Sequence, residues 1–220
     1  MRASPPFSGR GCIASVSVLL KSTRSINLAT RSAALVIAEN RCHDMTPLSS
    51  FRNFTLYPVG PSLDPAAAAE VVTLWTTKAG LPRQEANRRL QELVVLVRDP
   101  EGRLAGVSTA QQGRVHEGGE AHCFLRMFFQ PESRGVRGLA AHALGVAFHL
   151  LARRHASPPA PAGVILVTEN PKLHSRRIAE AFRRIGWQHL GRGPQDREWF
   201  GRRFDGTRYE GRVMPGSVDA

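Results

Sequence analysis

From residue 51 onward the chain switches between two hydrophobic periods. FRNFTLYPV (51–59) is rich in β-formers and predicts a strand. Asp64 and Pro65 then mark a helix start, a capping carboxylate followed by proline at the first helical position. The run AAAAEVVTLWTTKA carries that helix to Gly80, and Pro82 opens a second, short helix ending near Leu90. LVVLVR and RLAGVSTAQQ flank the turn DPEG and predict a hairpin. GRVHEGGE (113–120) reads as a loop and AHCFLRMFF (121–129) as a strand that stops at Gln130–Pro131. Ala140, Ala143, Leu144, Ala147, Phe148 and Leu151 recur at helical spacing and predict a helix over 136–154. GVILVTE (163–169) reads as a buried strand. Ile178, Phe182 and Ile185 define one more amphipathic helix, closed by Gly186, and WQHLGR and REWFGRRF a last pair of strands. The order is strand, two helices, three strands, helix, strand, helix, two strands: an α/β (α+β) domain over 51–212, with a flexible tail over 213–220.

Composition narrows the picture. At 42% hydrophobic and 22% charged, with no apolar run of about 18 residues, the sequence reads as a soluble globular protein with no membrane span. The formal charge is +12, carried almost wholly by arginine, and favours anionic partners. Cys12, Cys42 and Cys123 have neither metal-ligand spacing nor even pairing, which fits a reduced, cytoplasmic protein without a metal. Residues 1–50 differ: Arg2, Arg10, Lys21, Arg24, Arg31 and Arg41 face only Glu39 and Asp44. That stretch reads as a disordered leader or a non-native extension upstream of Met45.

The segment with the most chemistry lies between the strand at 121–129 and the long helix. A tight glycine-bearing turn into a helix presents unpaired backbone N–H groups at the positive end of the helix dipole. Arg134 and Arg137 add charge there, and Gly135 and Gly138 remove the Cβ atoms that would keep a ligand away. The arrangement fits a pyrophosphate. It is neither a Walker loop, since GxxxxGK[ST] is absent, nor a GxGxxG dinucleotide fingerprint. A helix cap with solvated arginines is the plain alternative.

Read with its flanks, FFQPESRGVRGLAAHAL (128–144) resembles motif A of the GNAT superfamily of N-acetyltransferases. In that motif a Q/R-x-x-G-x-G/A loop holds the coenzyme A pyrophosphate at a helix start. TENPKLHSRRIAEAFRRIGW (168–187) is similar to the segment that follows it in the family. The resemblance implies a GNAT-like central mixed, largely antiparallel sheet flanked by helices, with acetyl-CoA bound where two central strands splay apart. It implies that backbone groups of Met127, Phe128 and Phe129 polarise the thioester and align the pantetheine arm. Arg134, Gly135, Val136, Arg137, Gly138, Leu139 and Ala140 would hold the pyrophosphate, and Asn170 would lie beside the coenzyme. Two departures are visible. The loop is one residue longer than the pattern, so either Arg134 anchors it with an insertion or Gly138 and Ala140 fit its end with Gly135 in the Q/R place. The Tyr that many members carry four residues before the helix-ending glycine, as proton donor to the leaving thiolate, is here Phe182.

An amine acceptor arrives as an ammonium and needs a base. Glu120 and His122, at the start of the strand leading to the coenzyme, are the catalytic candidates, Glu120 first, and Glu169 at the end of the adjacent strand is a further one. Acceptor contacts are expected from 62–92, 113–120 and 190–200, including Trp75, Arg83 and Trp199. The leading expectation is an N-acyltransferase moving acetyl from acetyl-CoA to a primary amine on a small molecule or protein. A degenerate relative that binds acyl-CoA or a partner without turnover is the second, motivated by Phe182. A basic nucleic-acid-binding protein, motivated by charge alone, is the third.

Overall fold

Polar backbone groups that leave water must pair with one another, and the described residues pair theirs in one sheet and in the helices that pack against it. The structure, a computed structural model, describes residues 46–60, 63–168, 175–193 and 197–210. These belong to one compact unit, 41–220. Of the leader expected over 1–50, residues 1–45 lie outside the described residues, as do Glu169, Asn170 and the tail at 213–220, whereas 46–50 are described and Ser49 and Ser50 already belong to the first strand.

The strands are β1 (Ser49–Phe51), β2 (Phe54–Pro58), β3 (Leu93–Arg98), β4 (Leu104–Arg114), β5 (Ala121–Phe129), β6 (Gly163–Val167), β7 (Gln188–Arg192) and β8 (Glu198–Arg203). They form one sheet in the order β1-β2-β3-β4-β5-β6-β8-β7. Every neighbouring pair is antiparallel except β5 and β6. The helices are α1 (Pro65–Lys78), α2 (Arg83–Arg89), the four-residue α3 (Pro131–Arg134), α4 (Leu139–Arg154) and α5 (Arg176–Arg184), with a 3₁₀ turn at Leu90–Glu92. Asp64 caps α1 as its sequence position predicts, accepting from the Ala67 N–H at 2.9 Å. No helix among the described residues is long and apolar enough to cross a membrane.

Two layers of side chains hold the sheet. Val71, Trp75 and Ala86 of α1 and α2 pack with Leu93, Leu96 and Val107 on one face. On the other, Leu139, Ala143, Leu144, Phe148 and Leu151 of α4 pack with Val95, Cys123, Leu125 and Phe129. The antiparallel register therefore splits β5 by parity, Cys123, Leu125 and Phe129 towards α4 and Phe128 towards α1.

Four expectations need correction. The strand at 51–59 is a hairpin, β1 and β2, because Arg52 turns the chain at φ 53°. β4 runs on to Arg114, into the expected loop, since Gly113 and Arg114 still find partners at His122 and Ala121. The helix expected from 136 begins at Leu139, because Gly138 sits at φ 90° and breaks the right-handed run. Leu139, not Ala140, then lies on the apolar face: Leu139 is buried and Ala140 exposed.

Candidate functional site

β5 changes partners along its length. It pairs with β6 only at Cys123, Phe124 and Leu125, against Val164, Ile165 and Leu166. Beyond that point β5 stays with β4, where the register holds to Gly106–Phe129, while β6 follows β8 through Val167–Trp199. The Thr168 N–H also goes to the β8 side, donating to Glu198 C=O at 3.0 Å. The sheet thus opens between β5 and β6 from Arg126 onward. Gln130 N–H donates to Ala105 C=O at 2.8 Å. Alternation along an antiparallel ladder therefore turns the backbone groups of Phe128 towards β4, and those of Met127 and Phe129 towards the opening. Of the three residues expected to align a pantetheine, two present backbone groups to the gap and Phe128 presents its ring to the α1 face.

The loop after β5 is built by local hydrogen bonds. Ser133 and Arg134 N–H donate to Gln130 C=O, Val136 N–H to Ser133 C=O and Leu139 N–H to Val136 C=O. Gly138 is the residue the geometry cannot replace: besides its positive φ, an added Cβ would stand 2.9 Å from Phe51 Cζ. Gly135 has an ordinary φ of −74° and open space around it, so it contributes room rather than conformation. The amides of Ala140 and Ala141, in the first turn of α4, find no backbone acceptor among the described residues. β1 supports this end of α4: Phe51 stacks near His142 at 5.1 Å, and Ser49 Oγ lies 2.8 Å from His142 Nε2. Arg134 lies over the Phe128 ring at 5.3 Å, and its Nε donates to Phe129 C=O at 2.9 Å, at the lip of the opening. The Arg137 side chain is exposed.

Glu120 and His122 lie at the other end of β5. Glu120 is clamped by Arg203, with Nη1–Oε2 at 2.6 Å and Nη2–Oε1 at 3.1 Å. Those hydrogen bonds hold its carboxyl below the usual range and make it a poor proton acceptor. His122 is buried, and burial pushes its pKa down, leaving it neutral near pH 7. Its Nδ1–H donates to Glu120 C=O at 2.9 Å, so Nε2 carries the lone pair, buried and unpartnered. Tyr209, remote in sequence, brings its ring to 5.6 Å from His122, and its hydroxyl is also unpartnered. His122 is five residues from Met127, about 17 Å along a strand, so neither candidate touches the opening. Phe182 packs flat on Phe200 at 4.3 Å and edge-on to Trp187, so the position that lacks the expected Tyr is apolar packing. Trp75 and Trp199 are core side chains and Arg83 is exposed. Among the described residues no cluster of His, Cys, Asp or Glu could hold a metal ion.

One pair at the opening escaped sequence reasoning. Arg126, the first β5 residue past the β6 pairing, turns its side chain to the α1–α2 face, where Arg126 Nη1 lies 3.6 Å from Glu92 Oε2. Both atoms are buried without a hydrogen-bond partner. Nothing local in the sequence links them; the row Leu93–Thr109–Arg126 across β3, β4 and β5 brings them together.

An eight-stranded sheet that opens beside a glycine turn and a helix N-terminus defines the architecture of the GNAT N-acetyltransferases, and this chain has that fold. No protein-family model matches the sequence, and no curated protein does. Among solved structures the ribosomal-protein-S5-alanine acetyltransferase from Vibrio fischeri superposes with a TM-score of 0.50 at 10% identity, over 71% of this chain and 96% of that one. A GNAT-family acetyltransferase from Listeria monocytogenes 4b F2365 gives 0.49 at 14% identity, over 68% and 94%. At 10% identity the likeness to the Vibrio fischeri protein is one of fold.

Proposed function

We propose that this chain is an acyl-CoA-dependent N-acyltransferase that moves acetyl from acetyl-CoA to a primary amine, its catalytic domain spanning residues 51–212. The observation that carries the reading is the opening between β5 and β6, lined by free backbone groups of Met127 and leading straight to the first turn of α4. A pantetheine amide is an extended donor–acceptor unit and fits a strand edge as a further strand would. The amides of Ala140 and Ala141, with Arg137 nearby, suit the pyrophosphate; each such charge contact contributes about 0.3–1 kcal/mol. Arg134 must release Phe129 C=O as the arm enters, which frees its guanidinium for the phosphates.

In the reaction the acceptor nitrogen loses two protons. Its C–N bond forms as the thioester C–S bond breaks, one proton passes to a base and the other reaches the departing sulfur. The strand edge holds the thioester carbonyl by the Met127 N–H, which stabilises charge as it develops on oxygen. Holding amine and thioester together supplies several kcal/mol of barrier reduction, about 7–11 at the upper range of oriented reactions.

The test is a calorimetric titration of acetyl-CoA into the full chain and into Ala140→Asp. An acid in a first helical turn favours the helix but repels an anion there, so folding and binding are moved in opposite directions. The parent is expected to bind with micromolar affinity, about 8 kcal/mol. The variant is expected to be as stable as the parent or more so, and at least about tenfold weaker in binding. Equal binding by both would remove the cradle from the account.

A further inference from the structure

The Glu92–Arg126 pair, one side chain nearly buried and the other partly exposed, is an ion pair without a hydrogen bond. Glu92 is nine-tenths buried, and its Oε1 accepts from Arg88 Nη1 at 2.6 Å. Oε2 has no hydrogen bond, although Arg126 Nη1 stands 3.6 Å away and is itself unpartnered. A buried charged acceptor and donor left without hydrogen bonds are costly even as an ion pair, a cost a polar ligand can remove. Arg126 is 42% exposed at its side chain, so it can turn outward and uncover Glu92 without disturbing the core.

We propose that Glu92 and Arg126 are the acceptor-recognition residues of the acyltransferase read above, and that the acceptor is an amine carrying its own carboxylate, of the α-amino-acid type. The inference rests on the acyltransferase reading. The ammonium meets Glu92 Oε2 and the carboxylate meets Arg126, each filling one of the two vacant hydrogen-bonding positions. Local charge favours such an acceptor over a simple cation. Arg88 and Arg89 both engage Glu85, Arg88 also engages Glu92, and with Arg126 the cluster has three guanidinium groups against two carboxylates. A polyamine would add positive charge to that surplus; a zwitterion brings an anion to it. Placement agrees: Arg126 directly precedes Met127, whose backbone faces the gap, so the amine lies against the thioester carbon. Glu92 takes the first proton from the ammonium and passes it to solvent. The second leaves the nitrogen after attack and neutralises the thiolate.

The experiment measures free-thiol release from acetyl-CoA with three acceptor sets: a mixture of proteinogenic amino acids, the same amino acids as C-terminal amides, and spermidine. It is run on the full chain and on Arg126→Gln, Glu92→Gln and Arg88→Gln, with acetyl-CoA affinity measured separately by calorimetry. Amino acids are expected to be acylated, and the amides and spermidine about 10- to 100-fold less efficiently, the worth of one charged hydrogen bond. Arg126→Gln should erase that discrimination. Glu92→Gln should lower kcat. Both should leave acetyl-CoA affinity unchanged. Arg88→Gln breaks the outer ion pairs but spares the vacant atoms, and should keep the discrimination. Amides or spermidine turned over as well as amino acids overturns the proposal, as does discrimination lost equally in Arg88→Gln. Acetyl-CoA binding without release to any amino acid overturns it too, while the coenzyme reading stands. Failure of acetyl-CoA to bind would sink both.

Discussion

His122 is the residue whose burial most directly sets a pH dependence. Desolvation lowers its folded pKa below the ordinary 6.5. Above pH 6.5 it is neutral in both folded and unfolded chains, and its full contribution is present. As pH falls through 6.5 the unfolded chain takes up a proton first, so stability is lost, at no more than about 1.4 kcal/mol per pH unit. Urea midpoints at pH 7 and pH 5 should therefore differ less in His122→Gln than in the parent, and an equal difference in both would remove His122 from this role. Cys123, next along the strand, faces α4; burial pushes its thiol up to about 11, so it should resist alkylation at pH 8 until the fold opens. Rapid labelling of the native chain, read by mass spectrometry, would contradict that packing.

At the scale of elements, the joints are more constrained than the strands. Gly138→Ala forces a Cβ into a left-handed position, at about 1–2 kcal/mol, and brings it against Phe51. The variant should lose about 1–3 kcal/mol by urea unfolding and weaken acetyl-CoA binding in parallel, because the first turn of α4 moves with it. At Gly163 an added Cβ would run into Arg202 O and stand 2.7 Å from Arg203 Cα, both backbone. Gly163→Ala should thus part β6 from β8 and destabilise by about 1–3 kcal/mol, with no direct effect on the coenzyme cradle. These joints also mark what the sequence could convey. The bounds of β3 and β5 and the capped start of α1 follow from local hydrophobic period, Asp64 and Pro65, which act within a few residues. The hairpin at Arg52 and the start of α4 do not, since Arg carries no turn signal and Gly138 needed its φ to reveal it. Long-range placement was silent in the sequence. Glu120 stood out as a catalytic candidate and proved paired with Arg203, eighty-three residues away, and Glu92, just past the short helix expected to end near Leu90, proved to face Arg126.

The whole molecule ties coenzyme and sheet through α4. Phe148 meets Trp187 at 6.1 Å, Phe204 at 5.4 Å and the Arg202 guanidinium at 4.1 Å, joining the helix that starts at the cradle to the β7–β8 end of the sheet. Phe148→Ala should cost about 3–5 kcal/mol, a large share of a marginal total of about 5–15, and its urea midpoint should show it. The central claim is that this assembly opens between β5 and β6 to take an acyl-CoA against the Met127 edge and the α4 amides. Residue-resolved amide hydrogen exchange, with and without acetyl-CoA, tests it most directly. The account expects exchange at Met127, Ala140 and Ala141 to slow by about tenfold or more on saturation, while Phe128, already bonded to β4, is unchanged. Unaltered exchange at Met127 and α4, or protection only at the His122–Tyr209 end of the sheet, would contradict it.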